Sequence, residues 1–180
     1  MPTMTHSSIP RPQADEHEAY YGKYIALVPD GDLVSMLRDQ NVETVRLLRG
    51  VSASKADFAY APGKWTVKEV VGHMIDAERI FAYRALRFAR GDATDLPGFD
   101  ENSYVPNGRF NSRTLADLLD ELEVVRASTI HLAKHLDEEA LTRRGTANRA
   151  GVTVRALIYI IAGHERHHVG LLRDRYLSGG

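Results

Sequence analysis

The stretch TVRALIYIIAGHERHHVGLLRDRY, Thr153 to Tyr176, decides the fold. It contains no proline, is apolar through most of its first half, and carries His164, His167 and His168 near its middle. A helix turns about 100° per residue, so side chains four apart lie about 40° from each other. Leu157, Ile161, His164, His168 and Leu172 therefore fall on one stripe. Two imidazoles point where leucine and isoleucine point. An unpaired buried polar group costs roughly 1–3 kcal/mol, so two side by side call for a partner that both can share. A divalent metal is the simplest such partner, because neutral imidazole offers a lone pair and the i, i+4 spacing suits a chelate.

A third ligand lies upstream. Pro62-Gly63-Lys64-Trp65 leads into Thr66-Val67-Lys68-Glu69, a T-x-x-E capping box that starts a helix running to about Arg90, before Gly91. Its inward stripe reads Val70, His73, Ala77, Phe81 and Phe88, so His73 interrupts an apolar face as His164 and His168 do. Two further long helices are legible. Asp32 caps one over roughly Leu33 to Arg49, with Leu33, Leu37, Val45 and Leu48 inward and Gly50 past its end. Ser112 caps the other over about Arg113 to Leu136, with a stripe of Leu115, Leu118, Leu119, Leu122, Val125 and Leu132. Four amphipathic segments predict an all-α fold, a four-helix bundle, and bundles build metal sites from side chains on facing helices.

The connections are less informative. Residues 91–112 show no helical period, and a connection of that length fits a crossover better than a tight hairpin. Tyr20 to Leu27 forms a short helical or extended lead-in, Ser54 to Phe58 a weak turn, and Asp137 to Gly151 a polar link with room for one helical turn. No alternating β-branched run suggests a sheet. Residues 1–16 are polar and proline-punctuated, which predicts a flexible N-terminal arm ahead of a single domain over 17–180.

Composition removes several classes of function. The net charge is −1 with no block of lysine or arginine, which argues against nucleic-acid binding. The chain has no cysteine, so disulfides, thiolate ligands and a cysteine nucleophile are excluded together. No run reaches the ~18 apolar residues of a membrane helix, and Met1 to Pro12 lacks the apolar core of a signal peptide, so the expected location is the cytoplasm.

Other polar residues have two readings each. His131 and His135 are also four apart, but they lie off the leucine stripe near a helix end and read as solvated. His6 and His17 sit in or beside the arm and read as surface residues. His167 can support the ligands from behind or replace His168 as one. Asp76, three residues after His73, can orient that ligand, act as a base, or face solvent. Arg84 lies on the second helix's stripe and can grip an anionic substrate or pair with a carboxylate. Glu165 lies about 100° off the metal stripe and reads as a surface or inter-helix ion-pair partner. Asp100 and Glu101 can form part of a pocket mouth, and Trp65 reads as a packing staple at its helix start.

Three motifs together resemble the DinB/YfiT-like superfamily: KWTVKEVVGH at Lys64 to His73, FDENSY at Phe99 to Tyr104, and HERHH at His164 to His168. The resemblance spans roughly Leu33 to Tyr176. Its specific element is W-[ST]-x-x-E-x-x-x-H paired with a later H-x-x-x-H. It implies a four-helix bundle, often dimeric, with a zinc- or nickel-type ion on His73, His164 and His168. Members include bacillithiol and mycothiol S-transferases and a mycothiol-dependent maleylpyruvate isomerase, so a low-molecular-weight thiol is an expected cosubstrate. The related sulfoxide synthases place an acidic residue where this chain has Gly170, and use a second catalytic domain for which 180 residues leave no room. Two functions follow: a metal-dependent transferase or hydrolase acting on a small molecule, or a non-catalytic metal-binding, stress-responsive module. A homodimer is expected in either case, with Ile158, Ile160 and Val169 as surplus apolar residues for its interface.

Overall fold

The structure, a computed structural model, describes residues 8–178. Its elements in chain order are α1 (Ala19–Ile25), α2 (Leu33–Arg49), α3 (Ala53–Ala56), α4 (Val67–Ala89), α5 (Glu101–Gly108), α6 (Leu115–Ala133), α7 (Glu138–Thr142), β1 (Arg144–Ala147), β2 (Ala150–Thr153) and α8 (Val154–Leu171). A π-helical turn over Leu172–Leu177 continues α8. The four long helices α2, α4, α6 and α8 form the bundle. No helix among the described residues is long and apolar enough to cross a membrane.

Each long helix begins where a side chain can take a free N–H group. Asp32 accepts from Ser35 N at 3.0 Å and Thr153 from Ala156 N at 3.3 Å. Thr66 and Glu69 close the expected reciprocal box, at 3.1 and 2.8 Å. For α6 the cap is Thr114, two residues beyond the expected Ser112, and Ser112 ends a short 3₁₀ turn instead.

The order of helices around the bundle differs from expectation. α4 packs between α6 and α8, and α2 packs against α6 and α8. The consecutive pairs α2/α4 and α6/α8 thus lie diagonally. The crossings therefore fall in the connections carrying α3 and α7, while residues 91–112, expected to cross, join the neighbours α4 and α6. That long connection is filled by structure of its own: α5, capped by Asp100, and a short 3₁₀ turn at Phe110–Ser112.

The expectation of no sheet also fails locally. β1 and β2 form an antiparallel hairpin that turns at Asn148 and Arg149, both in the left-handed region with φ of 52° and 67°. Two consecutive left-handed residues make the tight turn whose twist suits a hairpin. The hairpin anchors the 91–100 segment, for Leu96 N donates to Thr146 O and Asn148 N to Leu96 O, each at 2.9 Å.

The flexible arm expected over residues 1–16 is not what residues 8–16 do; residues 1–7, including His6, lie outside the described part. Ile9 is buried, with its carbonyl accepting from the Tyr159 hydroxyl at 3.3 Å. Arg11 donates to the carbonyls of Ile25, the last residue of α1, and of Val28 just beyond it, and Glu16 pairs with Arg155. An apolar anchor and two cations hold the segment down despite its polar composition.

The apolar interior is in two parts. One joins the C-terminal half of α4 to the N-terminal half of α8, through Ala77, Phe81, Phe88, Leu157 and Ile161. The other joins the start of α4 to the π-turn after α8, through Val70, Met74, Leu172 and Tyr176. That pairing runs α4 and α8 antiparallel. Polar side chains occupy the layer between the two parts.

Candidate metal centre

The polar layer holds three buried histidines. His73 comes from α4 and His164 and His168 from α8, and their Nε2 atoms converge. His164 Nε2 lies 3.1 Å from His73 Nε2 and 3.1 Å from His168 Nε2. All three possible ligand atoms lie within 4.8 Å of one another. A ring nitrogen carries either one proton or one lone pair in its plane, so His164 Nε2 can satisfy only one of these two contacts by hydrogen bonding. Nitrogens about 2.0–2.1 Å from a shared ion stand roughly 2.8–3.4 Å apart across octahedral and tetrahedral geometry, a range that contains the two 3.1 Å separations. The donor set and its spacing fit a divalent ion, which the three residues would hold from one side.

Burial keeps the imidazoles free of protons. It holds His73 down to about 4, partly opposed by Glu101, and His168 down to about 3, with His73 and His167 adding to the effect. His164 is also held well below its ordinary value, by burial first and then by the neighbouring histidines and Lys23. Each ring therefore presents a lone pair at neutral pH. Aromatic packing fixes the rings: Trp65 lies 4.9 Å from His73, and Tyr24 and Phe81 lie 5.4 and 5.9 Å from His164. Packing is what orients His168, because its buried Nδ1 has no hydrogen-bond partner.

Two glycines bring the walls this close. A Cβ on Gly163 would lie 2.0 Å from the Tyr24 carbonyl oxygen, so α1 can lie on α8 only because residue 163 has no side chain. A Cβ on Gly72 would lie 2.3 Å from the Phe110 ring. Each glycine directly precedes a candidate ligand.

Two of the histidines, His73 and His164, line a cavity of about 280 Å³ together with Tyr20, Tyr21, Tyr24, Phe81, Arg84, Phe99 and Glu101. Arg84 and Glu101, both singled out in the sequence, do meet there. Asp76 does not: it is half-buried on another side of α4, raised by burial, with Arg79 and Glu121 as its charged neighbours, and it makes no hydrogen bond to His73. Asp100 caps α5. His167 is half-buried with its ring 5.2 Å from Tyr24, outside the converging set. His131 and His135 are exposed, as their place off the stripe implied.

Below the histidines lies a group that the sequence reading largely missed. Arg126 of α6 is 1 % exposed and forks onto Glu78 of α4 through two bonds of 2.8 Å. It also donates to Glu165 of α8 at 2.6 Å and to the Leu37 carbonyl of α2 at 2.9 Å. Gln40 adds a bond of 2.5 Å to Glu165. Glu165 is thus the inter-helix partner of its two readings. The signal was present: Arg126 follows Leu122 by four residues and Glu78 follows Met74 by four, the spacing that exposed the histidines.

A small molecule entering the cavity would meet aromatic walls, a buried cation and the proton-free rings of His73 and His164. The fold recurs in YfiT from Bacillus subtilis, a solved structure described as "a probable metal-dependent hydrolase with an unusual four-helix bundle topology". The two are 16% identical and superpose with a TM-score of 0.70, over 94% of this chain and 93% of that one. No curated protein matches the sequence. The family model of the DinB superfamily matches residues 36–172, a span that contains all three histidines, and the chain belongs to that superfamily.

Proposed function

We propose that the chain is a metal-dependent enzyme acting on a small molecule, with one zinc or nickel ion held by Nε2 of His73, His164 and His168. The observation that carries this reading is the convergence of three buried, proton-free imidazoles, two of which line a cavity. Such an ion, when bound, polarises a carbonyl or acidifies a coordinated water or thiol, which is the chemistry of hydrolysis and of thiol transfer. The description of YfiT supports the hydrolytic version. A low-molecular-weight thiol as cosubstrate suits a chain without cysteine.

The protein's own groups do the rest. Tyr24, Phe81 and Trp65 keep bulk water from the ligand nitrogens. Glu101, half-buried on the cavity wall and near enough to His73 to oppose the effect of its burial, is the carboxylate placed to take a proton. That role falls to Glu101 rather than Asp76, which the cavity does not reach. We place the protein in the cytoplasm.

The test is metal analysis of protein purified without a histidine tag, then a screen for ester, amide and thiol-transfer turnover. Near-stoichiometric metal with turnover is expected. Metal without turnover on any substrate favours the non-catalytic module, and no metal in any preparation sinks the reading.

We also propose a homodimer, but not through the residues first expected. Ile158, Ile160 and Val169 are buried within the chain. The exposed Tyr83, Leu86 and Val124, beside a groove between α4 and α6, offer an apolar surface for a second copy. A sedimentation mass of one chain at micromolar concentration would remove this proposal.

A further inference from the structure

The cavity contains a buried cation that no carboxylate neutralises. Arg84 is 4 % exposed. Its Nη2 donates to the Pro97 carbonyl at 2.8 Å, and the Tyr21 hydroxyl is its other polar neighbour. The guanidinium sits 5.9 Å from the ring centres of both Phe81 and Phe99. Two such partners leave most of its five N–H donors unused. Among the described residues no Asp or Glu comes within 4.0 Å of it, whereas the other deeply buried arginine, Arg126, has two carboxylates. Glu18 and Glu101 share the cavity, but Glu18 is exposed and Glu101 half-buried, so their charges are solvated in a way that Arg84's is not. A desolvated guanidinium facing a cavity with spare donors is built to receive an anion.

The surroundings narrow the anion. One guanidinium balances one negative charge, and the two acidic side chains that line the same cavity, Glu18 and Glu101, oppose a second, which selects a carboxylate over a phosphate dianion. The walls between Arg84 and the histidines are rings, and Phe81 lies 5.9 Å from both the Arg84 guanidinium carbon and the His164 ring. No more than twice that distance separates the two ends. The cavity's 280 Å³ lies just under the roughly 300–1,000 Å³ of drug-sized sites.

We propose that Arg84 is the recognition point for a monocarboxylate with a flat apolar body, whose reacting group then reaches the three-histidine end. The position of the reacting group rests on the proposed metal site; recognition of the carboxylate rests on Arg84 alone.

Calorimetric titration separates the two. The probes are phenylacetate, 3-phenylpropionate, 3-phenylpropanamide and inorganic phosphate, each against metal-loaded and metal-stripped protein. At least one acid is expected to bind tenfold or more tighter than the amide, in the stripped protein as well, with phosphate no better than the amide. Arg84→Gln should abolish the preference for acid and leave metal content unchanged, and Arg84→Lys should keep part of the preference. The proposal is overturned if the amide binds as well as the acids, if no acid binds, if phosphate binds tightest, or if Arg84→Gln keeps the preference. Acid binding that needs the metal overturns it too, while leaving the metal site standing. Acid binding by protein that never takes up metal sinks the metal site and leaves Arg84. Should Arg84→Gln fail to fold, the acid and amide pair on stripped wild type decides.

Discussion

At the scale of single residues, His164 has two nitrogen neighbours at 3.1 Å and can satisfy only one without a cation. Removing any member of the set should therefore reduce metal content together with stability. Metal held only by the folded state stabilises by about 2.7 kcal/mol at a hundredfold excess over its Kd. His73→Ala, His164→Ala and His168→Ala should each lose most bound metal, whereas the exposed His131→Ala and His135→Ala should lose none. Mass-spectrometric metal analysis checks both groups; full occupancy in all three core variants would end the assignment. The same residues give a pH prediction for metal-stripped protein. An unfolded histidine binds a proton near pH 6.5, but in the fold burial holds His73 down to about 4 and His168 to about 3. The unfolded state thus binds more protons between those limits, so stability is full above about pH 6.5 and falls as the pH drops toward 4 and 3. The slope approaches 1.4 kcal/mol per pH unit for each histidine protonated only on unfolding. Thermal melts from pH 7.5 to 4 should show the decline, and a shallower one in His73→Ala. These candidate ligands were legible in the sequence because each breaks an apolar stripe. Asp76 misled because helical spacing gives a direction without saying which neighbour lies there, and Glu121 and Arg79 do.

At the scale of elements, the bundle is pinned at mid-height by Arg126, whose donors reach α2, α4 and α8 at once. Two carboxylates for one guanidinium leave the cluster with an excess negative charge, directly below a site suited to a cation. Arg126→Met would strand Glu78 and Glu165 without a counter-charge, and losing one side of a buried pair costs about 3–5 kcal/mol. Denaturant unfolding should register that loss. Adding Glu78→Leu and Glu165→Leu should recover part of it, since an apolar replacement of the whole group removes the stranded charges. No recovery would mean that the cost comes from packing rather than charge. The boundaries of α2, α4 and α8 were legible because their caps are Asp, Thr and Thr followed by clean periods. The hairpin was hidden because Asn148-Arg149 takes a turn that usually advertises itself with glycine. α5 was hidden by Pro106 and by a weak apolar face.

At the scale of the whole molecule, one wall of the cavity comes from residues before the matched family span, which begins at residue 36. Glu18, Tyr20, Tyr21 and Tyr24 line that wall, and α1 reaches the site only where Gly163 admits its backbone. Composition concealed this, because residues 8–16 look like a solvated tail yet hold α1 in place. Arg11 binds carbonyls at and just beyond the end of α1, Ile9 fills the core, and Glu16 ties back to Arg155 at the start of α8. The four long helices α2, α4, α6 and α8 also pack directly on one another. A chain lacking residues 1–28 should therefore stay helical by circular dichroism while exposing His164 and His168. Diethylpyrocarbonate, which modifies accessible imidazoles, should label both rapidly in the metal-stripped truncated chain and slowly in the metal-stripped full one. The milder Arg11→Ala and Ile9→Ala double variant should fall between them, because it loosens the anchor and leaves Tyr24 attached. Equal labelling rates in all three proteins would show that the wall does not guard the site, and the access route would then have to be sought on another face of the bundle.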